Sequence, residues 1–176
     1  MNKFNLTLES TPTEFGNLNE LERFRFENGQ PFPTSYKDFV HKYGYGLTAG
    51  QFIIYIPMDN YGDSWNLRSN FIKSTYYNDV INNDIWFDLK PDATIEILKR
   101  LVPFSMSENG YYLFWDIESF TNNEYDIYIT DFRGTGFIHL GSSLYEVIDK
   151  LTSPMPIPPF AKEALPSTFR CLRKII

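Results

Sequence analysis

The chain has 176 residues and a formal net charge of −6, with 43% hydrophobic and 22% charged residues. These are ordinary globular values for a chain long enough to bury a substantial core without metal or disulfide staples. The single cysteine, Cys171, excludes an internal disulfide, Met1 to Leu6 lacks a signal-peptide apolar run, and no stretch approaches ~18 consecutive apolar residues; one domain over residues 1–176, no membrane association and a cytoplasmic location are therefore expected.

Asn17 with Glu20 three residues on reads as a capped helix start, with Leu18, Leu21 and Phe24 at helical spacing and Gly29 as its end. A second helix follows Pro33. Its positions Tyr36, Phe39, Val40 and Tyr43 share one face, and Gly44 stops it. Phe52 to Ile56 is a short β-rich run between Gly50 and Pro57 and predicts a buried strand. Asp59 to Asn66 is a turn-rich loop, and Leu67 to Val80 predicts a helix with Leu67, Phe71 and Ile72 inward. Pro91 suits the first turn of a short helix carrying Ile95 and Leu98.

Strands follow. Leu101 to Met106 and Tyr111 to Trp115 flank the turn Ser107-Glu108-Asn109-Gly110. Beyond the polar stretch 118–124, Tyr125, Ile127 and Ile129 alternate with Asp126, Tyr128 and Thr130, which predicts one buried and one solvated face. Phe137 to Leu140 forms the next strand after the turn 133–136. Ser143 and Glu146 make a second capping box, ahead of an amphipathic helix with Leu144, Val147, Ile148 and Leu151 inward. Residues 154–159 are expected to be extended because of their prolines, and a helix is expected after Pro166. Helices, then mostly antiparallel strands joined by short turns, then a helix is the α+β pattern.

Charge is unevenly spread. Between Leu101 and Asp149 the only Lys or Arg is Arg133, against Glu108, Asp116, Glu118, Glu124, Asp126, Asp131, Glu146 and Asp149. The tail reverses this, with Lys162, Arg170, Arg173 and Lys174 against Glu163. A nucleic-acid binder needs a basic face to displace counterions, so nucleic acid is not the expected partner. Aromatic content is high, at 18%. Phe52, Ile54, Phe104, Phe114, Ile127 and Phe137 are core candidates, whereas Tyr61 and Trp65 sit in a polar loop with Asp59 and Asp63. Aromatic anchors flanked by carboxylates have the composition of interface hot spots. The expected partner-binding set is that loop, Asp59, Tyr61, Asp63 and Trp65, with the carboxylates Glu108, Asp116 and Glu118.

Several stretches resemble one family. Phe32-Pro33-Thr34-Ser35-Tyr36-Lys37-Asp38-Phe39-Val40 with its following Gly-containing turn is similar to the proline-led helix of the SUKH superfamily, which groups cell-wall-synthesis regulators with bacterial immunity proteins. Val102-Pro103-Phe104-Ser105 and Gly110-Tyr111-Tyr112-Leu113-Phe114-Trp115-Asp116 resemble its strand pair, and Ser142 to Leu151 its final helix. The resemblance spans roughly residues 18–151, leaving 152–176, with the Pro-rich segment 154–159 and basic tail 162–174, outside it. Tyr43-Gly44-Tyr45-Gly46 stands where the family has Asn-Gly-Gly, and Gly110-Tyr111 where it has Gly-Asp. The resemblance implies N-terminal helices, a central mostly antiparallel sheet and a closing helix packed on it. It also implies a non-enzymatic module similar to immunity proteins that capture a cognate toxin protein, often a nuclease. The regulatory branch of the family implies an intracellular scaffold with several partners instead.

No catalytic residue, metal ligand set or cofactor site is expected. His41 and His139 lack convergent partners at metal or triad spacing and read as structural. Cys171 has only the hint of an electropositive setting from Arg170 and Arg173. Gly44 to Gly50 precedes a strand where a phosphate loop would open a helix, so it reads as a turn. Asp59 to Trp65 lacks the alternating oxygens and terminal Glu of an EF-hand loop. An enzyme or small-ligand carrier would need a deep pocket with convergent polar groups, which the sequence does not predict.

Overall fold

A computed structural model describes residues 4–75, 88–131, 133–154, 157 and 163–175. The expectations for 76–80, for most of the Pro-rich segment and for Lys162 fall outside those residues. The architecture is α+β, with five helices among the described residues and an eight-stranded, mostly antiparallel sheet.

Helix α1 covers Leu18–Arg23 and starts as its sequence dictates, with the Glu20 amide donating to the Asn17 side chain at 3.0 Å. It is shorter than predicted. Gly29, at φ +81°, instead closes a turn on Phe26. Helix α2, Thr34–Lys42, buries Tyr36, Phe39, Val40 and the following Tyr43 almost completely. Gly44 ends it at φ +69°, where a Cβ would lie 2.1 Å from the Glu14 carbonyl oxygen. Two short strands follow, β2 (Gly46–Thr48) and β3 (Phe52–Ile54).

Helix α3 runs from Trp65 to Lys73, and its buried residues are Trp65, Ser69 and Ile72. Ile72 faces inward as expected, at 3% exposed, but Leu67 and Phe71 are 45% and 64% exposed, which corrects that part of the predicted inward face. The reason lies just upstream: the Ser64 hydroxyl accepts the Met58 amide at 2.9 Å and closes the loop, so the helix enters with Trp65 turned inward. Helix α4, Ile95–Arg100, is capped by Thr94, with Leu98 buried and Ile95 exposed. Pro91 lies before it, after a cis peptide bond, and bridges to Phe137 instead of opening the helix.

Strands β4 (Leu101–Ser107), β5 (Tyr111–Thr121), β6 (Glu124–Asp131) and β7 (Ile138–Gly141) form a meander. Pro103 sits in an interior strand, where its missing N–H is accommodated by a register shift between Pro103 and Ser105. Phe104 at that shift stacks on Trp115 with centroids 4.2 Å apart. The polar stretch 118–124 is mostly strand; its turn is Asn122–Asn123, both at positive φ as a tight hairpin requires. Tyr128 and Thr130 were expected in water but are 7% and 0% exposed. The His139 ring stands edge-on to Tyr128, and the Thr130 hydroxyl donates to the Gly136 carbonyl at 2.7 Å, so this face is covered as well.

Helix α5, Leu144–Thr152, has the predicted Ser143 cap and buries Leu144, Val147, Ile148 and Leu151. The chain does not close on it. Thr168–Cys171 is strand β8, not a helix; it lies between β2 and the two-residue β1, Thr7–Leu8, and pairs parallel to β1. The sheet order is β1-β8-β2-β3-β4-β5-β6-β7. Phe169 is fully buried against Phe39 and Tyr43 of the α2 region. Gly46, which pairs with Cys171, is obligatory, since a Cβ there would lie 2.3 Å from the Phe169 ring.

Glu124 and Ser35 bind these layers. The Glu124 carboxylate accepts the Ser35 amide at 2.8 Å and the Ser35 hydroxyl at 2.6 Å, and that hydroxyl accepts the Leu144 amide at 2.9 Å. Pro33 gives α2 no side-chain cap, so a carboxylate from across the sheet supplies one.

Two stability outcomes follow. Ser35→Ala strands a buried amide and a carboxylate oxygen and lowers unfolding free energy by about 1–3 kcal/mol, read as a lower urea midpoint at unchanged m. Phe169→Ala costs about 3–5 kcal/mol, whereas a tail that only decorates the surface would tolerate it within about 0.5 kcal/mol.

Candidate interaction surface

The seven sequence-selected residues do not form one site. Trp65 is 5% exposed and packs edge-on against Phe24 and Phe32, so it is a core residue and not a surface anchor. Asp116 is 2% exposed, with its oxygens 2.8 and 2.9 Å from the Arg100 Nε and Nη2 atoms, so its charge is spent inside the fold. A single local acidic count could not distinguish this internal ion pair from a solvated carboxylate. Glu108 and Glu118 are exposed, but at opposite ends of β5. The seven strand steps from Tyr111 to Glu118 separate them by roughly 23 Å.

The loop residues Asp59, Tyr61 and Asp63 are close together and differ in availability. Asp59 is exposed at φ +54° and accepts the Asn17 side-chain amide at 2.6 Å. Tyr61 is half-buried. Its ring lies edge-on to Tyr45, and its hydroxyl accepts the Ile175 amide at 3.2 Å. Lys174, which is 3.7 Å from Glu14, extends over the same ring. The basic tail therefore returns to this loop, a contact that sequence spacing could not show. Asp63 accepts from Tyr45 and, at 2.7 and 2.8 Å, from Arg68, whose guanidinium lies over Tyr55. It is a structural hub, and Asp59 is the loop's exposed charge.

The histidines occupy separate surface pairs. His41 Nε2 is 3.0 Å from Glu22, and His139 Nε2 is 3.1 Å from Asp126. Among the described residues, no group of three or more His, Cys, Asp or Glu side chains is arranged to hold a metal ion. Cys171 is half-buried, with Sγ 3.4 Å from the Thr13 amide and hydroxyl. No helix among the described residues is long and apolar enough to cross a membrane.

One cleft the sequence did not signal lies at the tip of the β5–β6 hairpin. It has a volume of about 510 Å³ and is bounded by Ser119, Thr121, Asn122, Glu124, Tyr125, Asp126 and Ser142. Its sides belong to the end of β5, the start of β6 and the entry to α5.

Tyrosines throughout this framework resist ionisation. Burial pushes Tyr36 well up, with a further push from Glu20; burial raises Tyr45 with help from Asp63; and burial raises Tyr125. Tyr55 is pushed up to about 12, burial outweighing the opposing charge of Arg68.

A family model described as SMI1-KNR4 cell-wall, of the SUKH group, matches residues 18–148. No curated protein and no solved structure matches the chain.

The raised phenols set an alkaline limit. Unfolded tyrosines lose their protons near pH 10, so above that value the unfolded chain binds fewer protons than the folded one. The stabilisation is complete below about pH 10 and is lost as pH rises through the folded values. The phenolate signal of Tyr36, Tyr45, Tyr55 and Tyr125, followed by NMR of ring-labelled tyrosine, is expected to appear only together with loss of structure above about pH 10.

Proposed function

The chain belongs to the SUKH superfamily, and from that membership we propose that it is a non-enzymatic protein-binding module that captures and neutralises one cognate bacterial toxin in the cytoplasm. The toxin class that fits is a nuclease or another protein with a basic substrate groove. The observation that carries this reading is uncompensated surface charge. Glu108, Glu118 and Asp149 are exposed and have no Lys, Arg or His within ion-pair distance among the described residues. Asp59 adds a fourth exposed carboxylate without a cationic partner there. Meanwhile Arg68, Arg100 and Lys150 are each engaged by an acidic side chain.

Such a surface attracts a basic partner at long range, raises the encounter rate and competes with the phosphates of a nucleic-acid substrate. A standard interface of roughly 800 Å² per partner is about 30 Å across, so a contact centred at either end of β5 has ample carboxylates to use. The loop bearing Asp59 and Tyr61 is the second part of the proposed contact. Asp63 and Trp65 support it from beneath.

The cell-wall description of the matching family model favours a second reading, an intracellular regulator with several partners. Affinity capture from the native host, washed at low and high salt, separates the two. A single dominant toxin-domain partner released by salt supports neutralisation. Several partners from envelope synthesis or signalling support the regulator, and no partner at either salt overturns both.

With the captured partner in hand, Glu108→Lys and Glu118→Lys combined are expected to weaken binding at least tenfold, mainly through a slower on-rate, on the order of the effects seen for steering charges. Asp59→Lys is expected to do the same where the loop contributes. Unchanged affinity in surface plasmon resonance removes the tested end from the interface.

A further inference from the structure

We infer that the cleft between the tip of the β5–β6 hairpin and the entry to α5 is the seat for one basic side chain of the partner, an arginine or lysine; this rests on the protein-binding reading above. The cleft, about 510 Å³, is of ligand-pocket size but has a polar boundary. Glu124 on its wall is occupied by the Ser35 amide and hydroxyl. Asp126 is different. The Ser142 hydroxyl at 2.8 Å and His139 Nε2 at 3.1 Å both meet its Oδ1 atom, leaving Oδ2 without a hydrogen-bond partner among the described residues. The Asp126 side chain is 36% exposed and so reachable from the cleft.

The other boundary groups fit the same ligand. Ser119, Thr121 and Asn122 add polar side chains at the boundary, while the Tyr125 ring is buried among Phe26, Trp115 and Phe120 and offers no stacking face. A guanidinium presents forked donors to a carboxylate. Among the described residues no lysine or arginine bounds the cleft, so an anion would meet the carboxylates of Glu124 and Asp126. An apolar ligand would desolvate those carboxylates without replacing their hydrogen bonds.

The seat is also held in place. Asn122 and Asn123 fix the hairpin tip at φ +53° and +62°, and the Asn123 carbonyl accepts the Thr34 amide at 2.9 Å. Ser119 Oγ accepts the Asp126 amide at 2.8 Å, tying the two walls together. Little ordering is left for the bound state to impose.

The test needs no partner. Isotope-labelled full-length protein is titrated with N-acetyl-arginine amide and, separately, with its neutral isostere N-acetyl-citrulline amide. The amides of Ser119, Asn122, Asp126 and Ser142 are followed by NMR. Saturable shifts at these amides with the arginine probe alone are expected, with Kd of millimolar order. Asp126→Asn keeps the Ser142 acceptor and is expected to raise that Kd about tenfold, the loss of one charge-assisted hydrogen bond. Thr121→Lys, at an exposed rim position, supplies an internal competitor and is expected to suppress the shifts without touching Asp126. An equal response to citrulline, no response at these amides, or a response unchanged in both variants overturns the inference. Toxin binding would then stand or fall separately, on the capture experiment.

Discussion

Three segments remote in sequence meet at the hydroxyl of Ser35, and the arrangement of the layers depends on that meeting. The Ser35 side chain donates to Glu124 of β6 and accepts the first amide of α5, while its own amide donates to the same carboxylate. Each helix start presents unsatisfied N–H groups and a partial positive charge; the Glu124 carboxylate answers that of α2, and the Ser35 hydroxyl that of α5. Because Tyr36 and Leu144 directly follow the two contact points, fixing those helix starts also aims both side chains inward, where neither is exposed. Tyr36 then stands edge-on to Trp115, and its hydroxyl donates to the Tyr55 carbonyl at 2.7 Å, carrying the constraint from the helices to the sheet centre. The node also decides which charge is left at the hairpin tip. Glu124 is consumed by the fold, and Asp126, one turn of the pleat away, is not.

Local chemistry was legible where a few adjacent residues determine the outcome. Asn17 and Ser143 cap their helices because the acceptor and the amide it serves lie three residues apart. The α2 stripe was legible because Tyr36, Phe39, Val40 and Tyr43 leave one orientation that buries all four. Where the deciding contact is long-range, the pattern misled. Pro166 followed by Ser and Thr has the look of a helix start, yet Thr168 to Cys171 pairs with segments more than 120 residues earlier, and no local pattern carries that information. Leu67 and Phe71 are correctly spaced for a buried face, but the Ser64–Met58 contact sets the rotation of α3 and gives the inward position to Trp65.

The same division governs the site. Carboxylates are visible in sequence, but their availability is not. Asp116 and Glu118 are two residues apart on β5; the first faces Arg100 inside the fold, and the second faces out. Asp59 and Asp63 share a loop, and only Asp63 has Arg68 and Tyr45 converging on it. Aromatic surplus proved a poor guide to interfaces. Phe24, Phe26, Phe32, Tyr36, Trp65 and Trp115 interlock around one point, so much of the 18% aromatic content serves the core. An eight-stranded sheet covered by short helices leaves wide gaps to fill, and large flat side chains fill them with few residues.

The sheet edges bear on how a partner can be recognised. At β7 the His139 amide donates to the Asp92 carboxylate, and just before the strand the Phe137 amide donates to Lys90 and the Phe137 carbonyl accepts the Asp92 amide. At the opposite edge, β1 is two residues long, and the amides of Thr7 and Glu9 are turned toward β8. Adding a strand to a sheet requires a run of free backbone groups, and edge strands of two and four residues offer only short ones. Recognition through side chains is the alternative, and Glu108, Glu118 and Asp149 are exposed carboxylates with no cation within ion-pair distance among the described residues. A surface of that kind gains encounter rate and selectivity for basic partners more readily than raw affinity. Tight binding then requires a few desolvated contacts within the charged field, and a rigid polar cleft with one uncommitted carboxylate oxygen is suited to provide one.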